Sequence, residues 1–291
     1  MKENTMKNFI YLLAISFIIF NYVLNAQWTQ TDLPIDGSVV LTFAVSPNGT
    51  GGTNLFAGTQ VGGPFLGGVF LSTDNGTSWT AVNNGLTNTF VRALAVSDTN
   101  IFAGTYGSGV FRSTNNGSSW TTVNNGLASN YVQALVISGT NLFAGFVNSV
   151  FRSTNNGTTW TEANTGLPAL PDIRTFAVSG TNLFAGAGGS YPNGVFLSTN
   201  NGTNWAVVNN GLTNTVIRAL AVSDTNLFAG TDEGGVFLST NNGINWTEVN
   251  NGLPANTSGN ALDISGINIF VGSATGQNAS GVFFSTNNGT N

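Results

Sequence analysis

Short apolar runs alternate with turns rich in Gly, Asn and Ser along the chain after residue 27, and the same order of runs recurs. One copy contains Val91–Ser97, Asn100–Thr105, Gly109–Thr114 and Trp120–Asn124. Runs of this length, rich in Val, Ile, Phe and Thr, are typical of β-strands and too short for helices. Each repeat unit is therefore predicted to contain four strands, which we name A to D in chain order.

The tryptophan at the start of strand D marks the period of the repeat. Successive tryptophans are 51, 41, 40, 45 and 41 residues apart, at Trp28, Trp79, Trp120, Trp160, Trp205 and Trp246. Four strands in each unit of about 40 residues are typical of the blades of a β-propeller, whereas the alternative, a β-solenoid, usually has shorter coils. The sequence thus predicts an all-β, six-bladed β-propeller of four-stranded antiparallel blades.

The polarity of the four strands differs in a regular way. Strand A is the most apolar, as in Ala93–Val96, and strand D is the most polar, as in Trp120–Asn124. An apolar strand is expected to be buried on both faces and a polar strand to form a solvated edge. We therefore expect strand A at the centre of the propeller and strand D at its rim.

A repeated motif joins strands C and D. It reads Ser-Thr-Asp-Asn-Gly-Thr-Ser-Trp over Ser72–Trp79 and recurs at Ser113–Trp120, Ser153–Trp160, Ser198–Trp205 and Ser239–Trp246. The motif resembles the Asp-box, or bacterial neuraminidase (BNR), repeat Ser-x-Asp-x-Gly-x-x-Trp. Proteins with this repeat include sialidases, xyloglucanase-type glycosidases, sortilin-type receptors and photosystem assembly factors. The resemblance covers residues 28–291 and implies a propeller, without fixing an activity.

The residues of this motif are expected to be structural. The Asp or Asn side chain is expected to accept hydrogen bonds from backbone N–H groups two residues on, and the glycine to supply a positive φ. Only Asp74 keeps the acid, which argues against calcium sites. The structural residues are Asp74, Gly76, Trp79, Gly117, Trp120, Gly157, Trp160, Gly202, Trp205, Gly243 and Trp246.

The two ends of the sequence carry complementary parts of one blade. Gln27–Gln30 reads as a strand D without its A, B and C strands, and Ser285–Asn291 stops one residue before the tryptophan of the motif. We expect Trp28–Thr31 to pair with Gly281–Ser285, so that the N-terminal strand closes the ring and leaves no unpaired edge. The alternative is that the sequence is a truncated piece of a longer protein with further blades.

The N-terminus is typical of an export signal. Lys2 and Lys7 precede the apolar run Phe9–Leu24, and the small residue Ala26 ends a cleavage site. The alternative is an uncleaved membrane anchor, but the run has 16 residues and a spanning helix needs about 20. The predicted organisation is a signal peptide at 1–26 and a propeller at 27–291, in a secreted or cell-surface protein.

Composition limits the chemistry and the partners. Cysteine and histidine are absent, which excludes disulfides, thiolate zinc sites and imidazole bases. After residue 26 the chain has five arginines, eleven acidic residues and no lysine, a balance that argues against nucleic acid or an anionic membrane as partner. We expect no cofactor or metal, no membrane insertion after signal removal, a monomer, and an extracellular glycan or protein as partner.

The candidate ligand site lies where the D–A and B–C loops are expected to meet, on the face opposite the motif turns. Aligning strand A across the repeats brings three arginines to one position near the channel mouth. Arginine beside aromatic residues can hold a carboxylate or a sugar. The alternative is that these arginines pair with loop acids. The candidate residues are Arg92, Arg174, Arg218, Phe90, Tyr131, Asp172, Asp232 and Glu233.

The sequence favours binding over catalysis, and no catalytic residue is assigned. The sialidase resemblance implies a tyrosine nucleophile assisted by a glutamate, but Glu162 and Glu248 fall on outer D strands. A xyloglucanase-type mechanism needs two carboxylates facing each other across a cleft. Asp263 replaces a small apolar residue of strand A and is expected to pair with Arg218. The favoured function is a non-catalytic binding propeller; the alternatives are a divergent glycoside hydrolase and a structural repeat module of a larger surface protein.

Overall fold

The computed structural model describes residues 38–48, 52–61, 67–189, 193–266, 268–273 and 281–289. Within these residues the regular elements are 23 β-strands, with no helix. The predicted signal peptide and the predicted closing strand Trp28–Thr31 lie outside the described residues.

The strands form six antiparallel sheets, each in the order A-B-C-D, of which the sixth contains strands A to C among the described residues. The A strands are β1 (Ser38–Pro47), β5 (Val91–Ser97), β9 (Val132–Ser138), β13 (Ile173–Ser179), β17 (Ile217–Ser223) and β21 (Ala261–Ser265). The B strands are β2 (Thr53–Val61), β6 (Asn100–Thr105), β10 (Asn141–Phe146), β14 (Asn182–Ala187), β18 (Asn226–Thr231) and β22 (Asn268–Ser273). The C strands are β3 (Gly68–Ser72), β7 (Gly109–Ser113), β11 (Ser149–Ser153), β15 (Gly194–Ser198), β19 (Gly235–Ser239) and β23 (Gly281–Ser285). The D strands are β4 (Thr80–Ala81), β8 (Thr121–Thr122), β12 (Thr161–Glu162), β16 (Ala206–Val207) and β20 (Thr247–Glu248).

Successive sheets pack against each other through their A strands. β1 contacts β5, β5 contacts β9, and the series continues through β13 and β17 to β21. The A strands are therefore innermost, and the sheets are the blades of a six-bladed β-propeller. The predicted fold class is confirmed.

Strand B, rather than strand A, is the most buried strand of a blade. In β6 every residue after Asn100 is buried, whereas β5 has three half-exposed residues of seven. The expectation that strand A is buried on both faces is wrong, because the innermost strand borders the central channel. The D strands are exposed, as their polarity predicts.

The hydrophobic core lies between blades, and a tryptophan crosses each junction. Trp120 of blade two is 4% exposed and packs with Phe56 and Val69 of blade one. Its Nε1–H donates to the carbonyl oxygen of Val82 in blade one, at 2.7 Å. The next three blades repeat this hydrogen bond, from Trp160 to Val123, from Trp205 to Ala163 and from Trp246 to Val208.

The first and the last sheet each carry exposed apolar side chains at positions that are buried elsewhere. Phe43 of β1 is 63% exposed, although the equivalent Leu94 of β5 is buried. Val282 of β23 is 68% exposed, although the equivalent Val110 of β7 is fully buried. A neighbouring blade covers Leu94 and Val110, and no described residue covers their counterparts to the same extent.

The turns from the motif serine to the motif tryptophan, here called Ser–Trp turns, share one hydrogen-bond pattern. In the turn Ser72–Trp79 the Ser72 hydroxyl accepts from the N–H groups of Asp74 and Gly76. The Asp74 carboxylate accepts from the N–H of Ser78, four residues on. We expected the Asp side chain of the motif to accept from N–H groups two residues on. This expectation is wrong for Asp74, and it is the Ser72 hydroxyl that accepts from the N–H two residues on. Both Asn75 and Gly76 have positive φ, at 57° and 87°.

Asp74 is expected to make the stability of blade one depend on pH. Hydrogen bonds from Ser78, and then from Ser72, lower the pKa of Asp74 from 3.8 to about 2. A carboxylate with a lowered pKa stabilises the fold above its unfolded pKa and loses that contribution as the pH falls. We expect the unfolding midpoint of the wild type to fall, relative to that of Asp74→Asn, between about pH 4 and pH 2. Parallel thermal melts would test this, and a constant difference across that range would contradict it.

Candidate functional site

A β-bulge near the start of strand A positions the candidate site. The register of A against B shifts at one equivalent place in five blades, so that one residue of the inner strand has no direct partner. Bulges re-aim a side chain and occur often beside functional sites. In blade two the bulge residue is half-exposed between buried Val91 and Ala93. The five bulge residues are Leu41, Arg92, Gln133, Arg174 and Arg218.

A cavity of about 610 Å³ lies on the face formed by the D–A and B–C loops of blades three to five. Two arginines and two aspartates of the predicted set line it, together with loop residues from the same blades. Glycines keep the cavity open, since a Cβ at Gly189 would lie 2.7 Å from the Cβ of Asp172. The lining residues are Val147, Asn148, Leu170, Asp172, Arg174, Gly188, Gly189, Val216, Arg218 and Asp232.

Each arginine of the cavity forms a salt bridge with a loop aspartate. Arg174 Nε lies 2.9 Å from Asp172 Oδ2, and Arg218 Nη2 lies 2.9 Å from Asp232 Oδ2. The hydrogen bond from Arg218 lowers the pKa of Asp232, and a further hydrogen bond from the Ser258 hydroxyl acts in the same direction. For these two arginines the structure shows the pairing with loop acids that the sequence left as an alternative.

Both salt bridges leave hydrogen-bonding capacity unused. Asp172 Oδ1 and Arg218 Nε are buried and have no hydrogen-bond partner among the described residues. Gln133 Oε1, at the equivalent bulge of blade three, is in the same state. Buried polar atoms are nearly always paired in folded proteins, and exceptions need a reason. Three of the seven such atoms among the described residues belong to bulge residues or the loop before them, so this region keeps hydrogen-bonding capacity for a ligand.

Arg92 lies beside the aromatic residues of the same face. Its guanidinium carbon is 5.9 Å from the centroid of the Tyr106 ring, a cation–π distance. The Tyr106 ring contacts Phe90 at 5.1 Å and Tyr131 at 4.9 Å between centroids. Burial lowers the pKa of Arg92, the charge of Arg174 lowers it further, and nearby Asp172 opposes this. Arg92 is therefore close enough to Arg174 and Asp172 for their charges to interact, although it does not line the cavity.

Two residues of the sequence analysis lie apart from this group. Glu233 is exposed in a turn with φ of 57°, and its backbone N–H donates to the Ser258 hydroxyl. Its side chain does not line the cavity, although neighbouring Asp232 does. The expected pair of Asp263 and Arg218 is wrong, because Arg218 binds Asp232 and Asp263 is exposed, accepting from the N–H of Ile264.

Sequence reasoning missed Tyr106, Val147 and Leu170. Tyr106 and Val147 follow strand B directly, and isolated β-bridges join them to Tyr131 and Asp172 of the next blade. The same repeat position holds Gly188 in blade four and Asp232 in blade five. This position varies within an otherwise regular repeat, which is a signal that comparison of the repeats could have detected.

The opposite face carries the turns that repeat most regularly. A second cavity there is lined by Ser223, Asp224 and Gly266 of A–B turns and by Asn288 of a Ser–Trp turn. Within the described ranges, no group of His, Cys, Asp and Glu residues is arranged to hold a metal ion. The described residues also contain no helix long and apolar enough to cross a membrane.

The fold and the loop-face cavity together define the class of protein, a β-propeller with a charged and aromatic channel mouth. Residues 144–291 match the family model of the DUF6242 β-propeller domain, and the chain belongs to this family. No curated protein matches the chain.

Several solved structures share the fold. The GH74 enzyme of Niastella koreensis is 20% identical with a TM-score of 0.65, over 88% of this chain and 37% of that one. YCF48 bound to D1 peptide is 16% identical with a TM-score of 0.63, over 89% and 83%. PorZ, a surface component of the type-IX secretion system of Porphyromonas gingivalis, is 17% identical with a TM-score of 0.61, over 91% and 42%. This chain thus spans less than half the length of the GH74 enzyme and of PorZ.

Proposed function

We propose that this protein is a secreted or cell-surface, non-catalytic binding propeller that holds an extracellular glycan or protein at the loop-face cavity. The observation that carries this proposal is that one recurring β-bulge places Arg92, Arg174 and Arg218 at the loop-face end of strand A. Arg174 and Arg218 line the cavity, and Arg92 lies against an exposed aromatic ring. Concave sites with a few convergent polar groups are the usual form of ligand sites. The N-terminal export signal is the basis for placing the protein outside the cell.

The differences among the repeats support a binding role for this face. The Ser–Trp turns repeat closely, and we propose that they are Asp-boxes whose role is to hold blades together. Because strand A supplies Leu41, Arg92 and Gln133 at one repeat position, arginine there is not a requirement of the blade. The blade therefore does not need these arginines for folding, which supports a role for them in binding a ligand.

A divergent glycoside hydrolase is the second candidate, because two carboxylates line one cavity. Inverting and retaining glycosidases both need one carboxyl group that stays protonated to act as general acid. Arg218 lowers the pKa of Asp232, which opposes that role. Arg174 occupies one oxygen of Asp172. These pairings favour binding over hydrolysis. The third candidate is a structural module of a larger surface protein, in which the cavity would bind no ligand.

Glycan and protein binding by the full chain would test the proposal. We expect a glycan array, or a panel of immobilised extracellular proteins, to yield a ligand whose affinity Arg218→Ala lowers by about tenfold or more, because a charge-assisted hydrogen bond is lost. Arg112→Ala is the matched control, since Arg112 lies away from the cavity and its Nη1 donates to the backbone carbonyl of Asn156 in a Ser–Trp turn. Hydrolysis of a sialoside or xyloglucan that Asp172→Ala abolishes would overturn the proposal in favour of an enzyme. If Arg218→Ala and Arg112→Ala lower the ligand affinity equally, the ligand binds outside the loop-face cavity.

A further inference from the structure

An exposed apolar row runs along the loop face beside the cavity. It consists of Tyr106, Tyr131, Val147 and Leu170, which are 42%, 52%, 48% and 66% exposed. The two tyrosine rings touch, and Val147 and Leu170 both line the cavity. Single exposed apolar residues are ordinary, whereas a contiguous group on one face indicates an interaction site.

The propeller itself does not require these side chains. At the repeat position of Tyr106 and Val147 the later blades carry Gly188 and Asp232, and the blade architecture is unchanged. The apolar residues are therefore specific to blades two to four. A repeat that departs from its own pattern at exposed positions suggests a role outside folding.

Leu170 is held in an unfavourable backbone conformation. Its φ is 62°, in the left-handed region that a leucine rarely adopts, and its side chain is exposed. Strained residues of this kind persist only where the surrounding structure holds them, and they cluster at binding and active sites. The loop thus presents a leucine side chain to solvent at the edge of the cavity.

One end of the row carries a positive charge that no carboxylate neutralises directly. Arg174 and Arg218 each have an aspartate partner, but no described carboxylate forms a salt bridge with Arg92. Arg92 instead lies against the Tyr106 ring. A partly desolvated guanidinium beside aromatic rings is suited to a carboxylate, which it binds with two hydrogen bonds.

We propose that the loop face binds a peptide segment in which apolar side chains lie next to a carboxylate, with the carboxylate on Arg92 and the apolar side chains on Tyr106, Tyr131, Val147 and Leu170. This inference rests on the proposed function and names its ligand class. The aliphatic residues favour a peptide over a glycan, because Val147 and Leu170 offer a sugar neither a flat ring for stacking nor a hydrogen bond. The chain after residue 26 is acidic overall, so an anion is attracted only by a local positive charge. Arg92 supplies that charge on this face, because Arg174 and Arg218 are paired with aspartates.

The test uses the full chain and an array of synthetic twelve-residue peptides. Each peptide has a Gly/Ser background in which Leu or Phe and Asp are placed at varied spacing, and a parallel set lacks the Asp. Glucuronate-containing oligosaccharides form a third set. We expect binding to peptides that contain both apolar and acidic residues, and weaker binding as salt is raised.

Two pairs of variants locate the binding. Arg92→Gln should lower the affinity of the best peptide about tenfold or more, and Arg112→Gln, on the opposite side of the blades, should change it less than about twofold. Leu170→Ser should lower the affinity about fivefold or more, whereas Ile244→Ser, an equally exposed apolar residue in a Ser–Trp turn, should not. Thermal melts of all four variants would show that the fold is retained.

Each other outcome overturns the inference. Binding to the oligosaccharides but not to the peptides would refute a peptide as the ligand class, while the proposed function would still hold. Equal binding with and without Asp would refute the role of Arg92. If neither set binds, or if the control variants reduce binding as much as their partners do, the inference fails. The proposed function is then decided separately by the glycan and protein ligands tested with Arg218→Ala.

Discussion

Trp120→Ala is expected to lower the free energy of unfolding by about 3–5 kcal/mol, as does truncation of other fully packed aromatic residues. The Trp120 ring is 4% exposed and lies among buried residues of blades one and two. Its truncation leaves a cavity at the junction and removes the hydrogen bond to the Val82 carbonyl. Chemical denaturation of the full chain, followed by circular dichroism, would measure the loss. A loss below about 1 kcal/mol would show that the indole does not hold the blades together.

Trp79→Ala is the matched control within the same repeat position. Trp79 is half-exposed, and its Nε1–H donates to the Gly76 carbonyl of its own turn rather than to another blade. Its nearest aromatic neighbour, Phe43, is itself 63% exposed. We expect Trp79→Ala to cost less than half as much as Trp120→Ala, because less apolar surface leaves contact with protein.

The fold could be predicted because the information is local and repeated six times. Apolar runs separated by Gly and Asn turns define strands, and tryptophans that recur every 40 to 51 residues define blades. The order of burial among strands A to D was harder to predict from the sequence. Ala93–Val96 is as apolar as a fully buried strand, but the sequence does not show that strand A borders the channel, which leaves Arg92, Val96 and Ser97 half-exposed. The acceptor role of Ser72 was likewise hidden, because both serine and aspartate are common in such turns.

The candidate site was predicted in part. Alignment of strand A was sufficient to group Arg92, Arg174 and Arg218, since one bulge recurs at one repeat position. Their partners were not predictable, because a salt bridge depends on loop conformation: Asp172 precedes Arg174 by two residues, whereas Asp232 reaches Arg218 from the B–C loop. Tyr106 was missed for the same reason, as its contact with Arg92 joins the B–C loop of blade two to the bulge of strand A.

The junction of blades five and six contains an apolar cavity of about 330 Å³ that corresponds to a tryptophan position. Six of its twelve lining residues are equivalent, in the repeat, to residues that surround Trp246 one junction earlier. Val236, Val249, Leu253, Ile269, Val271 and Phe283 correspond to Val195, Val208, Leu212, Leu227, Ala229 and Phe237. Five of the six tryptophans of the chain occupy Ser–Trp turns, and Trp28 is the sixth. The repeat pattern calls for a tryptophan at this position, and we propose that Trp28 supplies it.

A disulfide would test this prediction, since the chain contains no cysteine that could compete. In blade five Leu238 lies directly opposite Thr247, the residue after Trp246. The equivalent residues are Phe284 and Thr29, and directly opposed residues of antiparallel strands are close enough for a disulfide. Thr29→Cys with Phe284→Cys should therefore oxidise within a monomer, as should the control pair Leu238→Cys with Thr247→Cys. If the control pair closes while the thiols at 29 and 284 stay free, or link two chains, then Trp28–Thr31 is not the fourth strand of blade six.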